Sequence, residues 1–356
     1  MLIRIFLVFY LFMMATGTLH SEEILAPIPV LNSNGDLNVS GWAKNPVMIY
    51  NPQNIPPNLK AQKKEWEHYT IVGKDFALSL TLLNIGFTVA ALVDFSYYEK
   101  NIYYSNFFNS LENFQNYPFN PTPNGNTYWE KDGEYISFNF KNGIRYLDFY
   151  FKNKIVVAPI SGSLQLTQPK ESIAVVRPFF EPGQFFYENK VFGMPTEGKI
   201  KVNNEMLTFE KSQTSAILDW GRGVWPKFGT WYWGFAHGMA EGKNISLNMS
   251  YGYGDDSKGT VNALLVDGKV QKLDKIKWIF DQHDLMSPWK VTSSDGRVNL
   301  VFQPKSHVPV DLDILVYFAK LKKFYGTFSG EIELDDGTVL RVNNFYGFTE
   351  NLLYKW

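Results

Sequence analysis

Tyr135-Ile136-Ser137-Phe138-Asn139-Phe140, then Lys141-Asn142-Gly143, then Ile144-Arg145-Tyr146-Leu147-Asp148-Phe149-Tyr150-Phe151 is the run whose reading decides the fold. Both arms are rich in aromatic and β-branched residues, which suit a pleated surface. The second arm alternates: Tyr146, Asp148 and Tyr150 fall on one side, Leu147, Phe149 and Phe151 on the other. Asn-Gly between such arms is a hairpin turn.

The same grammar recurs on either side. Residues 67–72, 76–83, 86–97 and 102–108 read as successive strands, with Asn84-Ile85-Gly86 as a turn. Residues 117–126 carry Pro118, Pro121, Pro123 and Asn124-Gly125 and read as a loop. Further on, Asp267-Gly268, Asp295-Gly296 and Asp336-Gly337 separate β-rich runs, and 328–334 with 339–343 form a strong hairpin. No long stretch of period 3.6 with caps occurs; residues 310–321 are the best candidate for a short helix. The expected fold is all-β, with short strands closing into two β-barrel or sandwich domains.

A chain of 356 residues is expected to form more than one core. Residues 22–64, with Pro27, Pro29, Pro46, Pro52, Pro56 and Pro57, read as an extended arm. A composition break from Glu181-Pro182-Gly183 to Pro195 places the join, so 65–190 and 191–356 are the expected domains. Residues 1–21 read as a signal peptide: Arg4, an apolar run from Ile5 to Met14 too short to span a bilayer, then Ala15-Thr16-Gly17. Cleavage is expected after Gly17 and export to the periplasm or medium follows; an uncleaved anchor is the alternative.

Composition limits function. Lys+Arg number 34 and Asp+Glu 35, with no basic stripe, so no nucleic-acid partner is expected. Peripheral contact with a membrane stays open, as does oligomeric state. There is no cysteine, hence no disulfide, thiolate metal site or cysteine nucleophile. No phosphate loop, serine elbow or standard metal spacing occurs, so neither a cofactor nor a metal is expected; Asp281-Gln282-His283-Asp284 reads as a polar loop, and Gly252-Tyr253-Gly254-Asp255-Asp256 lacks the lysine and helix of a phosphate site.

The candidate site centres on Asp219-Trp220-Gly221-Arg222-Gly223, with Trp225 just after it. Trp231, Trp233, Phe235 and His237 are two apart and project from one face of a strand. Asp219 and Arg222 are close enough in sequence to pair at the edge of that wall, which suits a large, mostly apolar ligand with a polar end. Asp219 is the candidate catalytic acid. Arg222, Trp225, Trp231, Trp233, His237 and Glu350 are candidate ligand contacts, Glu350 with a bridge to Arg222 or Arg341. The competing structural role is a clamped turn over a tryptophan-rich core. Asp94, in an apolar strand, is an unusual acid for a core face.

Gly41-Trp42-Ala43 with Pro46, the central Asp219 to Gly223 motif, Trp231-x-Trp233, then Phe324-Tyr325-Gly326-x-Phe328-x-Gly330, Gly347-Phe348-x-Glu350 and Trp356 resemble the bacterial domain-of-unknown-function family 2804. That family resembles the hydroxyneurosporene synthase (carotenoid 1,2-hydratase) and AttH-like group. The resemblance implies two calycin-like (lipocalin-like) barrels with a pocket for a long apolar ligand at or near their interface. It supplies no reaction. The hydratases carry a histidine beside the central acid, where this chain has Leu218 and Trp220, and an arginine paired to Asp219 would oppose its acting as a proton donor to an alkene. The expectation is an exported binder of a hydrophobic, lipid-like or isoprenoid-like molecule. A cofactor-independent isomerase, cyclase or hydratase, and a structural envelope protein, are the alternatives.

Overall fold

The computed structural model describes residues 21–86, 88–98, 100, 102–110, 117–152, 159–314 and 317–355. The signal peptide expected over 1–21 lies outside them apart from its last residue, as does Trp356. Strand makes up 64% of the described residues and helix 3%. The helical part is two 3-10 turns, Pro52–Asn54 and Pro57–Gln62. The all-β expectation holds.

The strands are β1 (Ile28–Pro29), β2 (Gly41–Lys44), β3 (Met48–Ile49), β4 (Lys63–Val72), β5 (Phe76–Asn84), β6 (Val89–Tyr97), β7 (Ile102–Ser110), β8 (Thr127–Lys131), β9 (Glu134–Lys141), β10 (Ile144–Phe151), β11 (Ile160–Thr167) and β12 (Ile173–Pro178). They continue with β13 (Phe185–Val202), β14 (Glu205–Phe209), β15 (Ser215–Val224), β16 (Phe228–Ala240), β17 (Lys243–Tyr251) and β18 (Ala263–Val266). The chain ends with β19 (Lys269–Lys272), β20 (Ile276–Ile279), β21 (Trp289–Ser293), β22 (Val298–Ile314), β23 (Tyr317–Glu333) and β24 (Val339–Lys355).

The first sheet runs β7-β6-β5-β4-β15-β13-β11-β10-β9-β8, with β12 and β14 paired to β13 and β2 to β12. It curls on itself: Tyr69 of β4 packs on Phe138 of β9 with centroids 4.7 Å apart. The second sheet runs β19-β18-β17-β16-β24-β23-β22-β21-β20. It curls too, bringing Trp278 of β20 over Gly234 of β16, where a Cβ would come 2.5 Å from the indole. The result is two curled half-barrels, each with an interior apolar core.

The outer faces of the half-barrels pack on each other. Ile173, Val175, Phe192 and Ile217 of the first sheet meet Trp233, Phe235, Val308, Tyr325 and Phe348 of the second in one cluster. The arm at 22–64 is only partly extended: β2 extends the first sheet, and β1 and β3 form a small parallel pair.

Two expectations are corrected. Residues 310–314 and 317–321 are strand, the end of β22 and the start of β23. Their β-branched and aromatic side chains favour that state, and the pairing of β22 with β23 and of β23 with β24 supplies the ladder. The join placed at 190/191 cuts β13, a continuous 18-residue strand; the chain changes sheet between Val224 and Phe228.

Candidate functional site

Strand alternation on β15 splits the central motif between two compartments. Ile217, Asp219, Gly221 and Gly223 face the second sheet; Leu218, Trp220 and Arg222 point into the first half-barrel, where Leu218 and Trp220 join its core. Asp219 and Arg222 are three apart and so lie on opposite faces. The expected Asp219–Arg222 pair is therefore not made. Arg222 instead meets Glu67 at 2.9 Å. It also donates to the carbonyls of Trp66 and Asn120, both at 2.7 Å. Glu67 accepts a second bond from Thr127, at 2.8 Å. Arg145 donates to Pro123 O at 2.8 Å and Asn124 Oδ1 at 3.0 Å. The two arginines thus tie the proline-rich 117–126 loop to the inside of the first sheet. Arg222 is fully buried among these partners, inside the first half-barrel and on the face turned away from the seam.

On the other face Asp219 ends a chain of ion pairs. Lys190 Nζ lies 2.6 Å from its Oδ1 and 3.2 Å from Glu188 Oε2. Glu188 Oε1 meets Arg177 Nη2 at 2.6 Å, and Arg177 Nη1 meets Asp256 at 2.8 Å. Register explains the order: Lys190 is opposite Asp219, Glu188 opposite Gly221, and Val175 opposite Glu188, with Arg177 opposite Phe186. Burial pushes the Glu188 carboxyl up, against the pull of Lys190 and Arg177. Gly221 is required here, since a Cβ would come 2.1 Å from the Trp66 indole.

β16 carries an aromatic wall. Trp231, Trp233 and Phe235 face the first sheet from β16, and the Lys190 ammonium sits 4.4 Å from a Trp233 ring centroid. Trp233 donates to Asn248 Oδ1 at 2.8 Å. Trp225 packs edge-on to Trp66 at 4.2 Å. Between them lies a cleft of about 30 Å³, lined by Trp66, Phe186, Trp225, Trp231, Trp233 and Tyr253 with Arg177, Glu188, Lys190 and Asp219. That is room for a water or two.

Past Trp233 the interface holds a second polar cluster. Lys323 meets Glu350 at 3.5 Å and donates to Thr70 Oγ1 at 3.1 Å. Thr70 bridges His68 Nε2 at 2.8 Å and Ser79 Oγ at 3.0 Å, and His68 Nδ1 pairs with Thr81 Oγ1 at 2.6 Å. Burial, then the charges of Lys323 and Lys190, push the His68 ring well below its ordinary value. Burial also lowers Lys323. Glu350 accepts a bond from Trp231 Nε1 at 3.3 Å, so it belongs to the interface through Lys323. Neither expected arginine reaches it: Arg341 lies 3.8 Å from Glu331. Asp94 shares this face opposite Ser79 and accepts a bond from Tyr103 at 2.9 Å; burial raises its carboxyl. His237 bonds Ser246 Oγ at 2.8 Å, and burial lowers its pKa to about 4. It lies apart from the cleft. The 281–284 segment is a loop capped by its own aspartates, with His283 N on Asp281 and Met286 N on Asp284.

Sequence reasoning missed Lys190, Glu188, Arg177, Asp256, Trp66, Tyr253, His68 and Lys323. One signal was available. Glu188 and Lys190 alternate within the apolar strand Phe185 to Phe192, and charge at every second position of such a strand marks a polar patch on one face.

Fold and site together define an all-β protein of two curled half-barrel sheets, with an aromatic and ionic seam between them. The chain belongs to the family described as Domain of unknown function (DUF2804), whose family model matches residues 21–356. Among solved structures it is similar to CghA with Sch210972, at 11% identity and a TM-score of 0.49, over 81% of this chain and 87% of that one. It is similar to an AttH protein (NE1406) from Nitrosomonas europaea, at 14% identity and a TM-score of 0.47, over 81% and 92%. It is also similar to kievitone hydratase from Nectria haematococca, at 12% identity and a TM-score of 0.43, over 81% and 88%. No curated protein matches the chain.

Proposed function

We propose that the protein binds an amphipathic, lipid-like or isoprenoid-like small molecule between its two sheets. The apolar body lies on Trp66, Trp225, Trp231 and Trp233; its polar groups meet the ion-pair chain, at Lys190 and Asp219 and at Arg177. The observation that carries this reading is the ion-pair chain from Asp256 through Arg177, Glu188 and Lys190 to Asp219. Apolar side chains of similar volume at such positions are often neutral or stabilising, so packing alone gives no reason to keep charge there. Charge beside a broad aromatic face suits a polar group that arrives with a ligand. The chain is nearly closed at Glu188, 3% exposed, and opens at both ends, Asp219 at 14% and Asp256 at 17%, where a ligand can reach it. With residues 1–21 read as a leader, this binding takes place outside the cytoplasm.

Native mass spectrometry of the purified full chain, before and after organic extraction, tests the reading. The expected result is an extractable small molecule that Trp231→Ala fails to retain. A bare chain in every preparation, with no change in tryptophan fluorescence across fatty-acid and isoprenoid panels, overturns it. An isomerase, cyclase or hydratase at the same cleft would return a molecule different from the one supplied.

A further inference from the structure

Tyr253 closes the cleft. It belongs to the loop between β17 and β18 of the second sheet, yet its ring packs on Phe179, Phe186 and Trp225 from the first, with centroids at 4.9, 5.1 and 4.7 Å. Trp231 and Tyr354 of the second sheet complete the seat at 5.0 and 6.3 Å. Two residues earlier, Tyr251 stands in solvent, 50% exposed. Gly252 and Gly254 flank Tyr253 with φ of +89° and +83°, a conformation glycine adopts without steric cost. The turn is fastened to the first sheet by Asp256 on Arg177 Nη1, at 2.8 Å, and by Asp255 N on Pro178 O, at 2.9 Å.

We infer that the Tyr253 seat is a ligand subsite, and that the turn occupies it as a built-in surrogate for a planar aryl or conjugated carboxylic acid. The ligand's ring takes the place of the Tyr253 ring, and its carboxylate takes the place of Asp256 on Arg177. This rests on the reading of the cleft as a ligand site and names the class of ligand. The exchange conserves what burial makes costly. A carboxylate leaves Arg177 as another arrives, so no buried charge is stranded. A ring replaces a ring among edge-on aromatic neighbours. The Tyr354 hydroxyl, 3.3 Å from that of Tyr253, stands within reach of a hydroxyl on the ligand. Occupation of the seat also accounts for a cleft of only about 30 Å³. The paired glycines let the turn swing out without strain.

Calorimetric titration of the full chain with 4-hydroxycinnamate, and with 4-ethylphenol as the acid-free control, tests this. Holding the site closed lowers apparent affinity by the fraction of molecules that are open, so Tyr253→Gly binds 4-hydroxycinnamate about tenfold more tightly than the natural chain, and gains less for 4-ethylphenol. Equal affinity in the two proteins, or an equal gain for both probes, overturns the inference. Should Tyr253→Gly fail to fold, Asp256→Asn decides. Faster hydrogen exchange over 252–260 with tighter 4-hydroxycinnamate binding supports the surrogate; any other combination removes it. A natural ligand retained by the unaltered chain and lost from Trp231→Ala, beside a failed gain in Tyr253→Gly, leaves the cleft reading standing without the surrogate.

Discussion

At the scale of the residue, Asp219 and Arg222 do different work a strand-face apart. Asp219→Asn removes the charge that faces the cleft, while Lys190 keeps Glu188 at 3.2 Å. The expected outcome is about tenfold weaker ligand retention, roughly 1.4 kcal/mol, with little change in melting temperature. Unchanged affinity for a verified ligand would falsify the site. Arg222→Met strands Glu67 inside the first half-barrel and frees the 117–126 loop. Breaking a buried pair in this way costs about 3–5 kcal/mol, read as a lower urea midpoint with affinity per folded molecule unaltered. His237 sets a pH term. Its folded pKa, about 4, lies below the ordinary value of 6.5, so on acidification the unfolded chain takes up the proton first. Its contribution to stability is complete above pH 6.5 and is lost as pH falls from there to about 4. His237→Asn removes that decline, so denaturation midpoints of the two proteins should diverge across the window; parallel curves would count against it. The sequence singled out Asp219 as a candidate, because acid, glycine and tryptophan stand together. It could not show the partners, since Lys190 comes from β13, Glu67 from β4, and only strand register brings them near.

At the scale of the element, turn chemistry was the readable part. Asn142 and Gly143 both take positive φ, 53° and 77°, the geometry of the tight hairpin their sequence announces. Residues 310–321 were ambiguous because a mostly apolar run without glycine, proline or asparagine fits either regular state. The bend in β13 was equally hidden: Gly193, at φ +73°, sits in a register shift between Phe192 and Met194, and no neighbour in sequence marks it. β15 gives an element-level prediction. Gly221→Ala drives a methyl into Trp66, an overpacking that costs about 1–3 kcal/mol. Because Trp66 lines the cleft, ligand retention should fall with stability; a variant as stable as the natural chain would sink the account of why glycine stands there.

At the scale of the whole molecule, the two half-barrels share one buried cluster, so neither sheet covers its outer face alone. Val72, Ile173, Val175, Phe192 and Ile217 are covered by the second sheet, and Trp233, Phe235 and Phe348 by the first. Cutting the chain between Val224 and Phe228 should therefore yield two pieces that expose apolar surface and do not fold separately, and calorimetry of the intact protein should give a single transition. Two resolved transitions would mean the sheets are independent.

The alternation of β15 also bears on how such a chain can change over time. Positions 217, 219, 221 and 223 look onto the seam, while 218, 220, 222 and 224 look into the first half-barrel. One strand thus carries two separate readouts, interleaved residue by residue. Substitution at the odd positions acts on the seam, on what it accepts and on how the two sheets pack; substitution at the even positions tests the first half-barrel and leaves acceptance alone. Diversity in a mutational library of this strand should sort by parity. A single-residue insertion, which exchanges the two sets, should be tolerated nowhere along it.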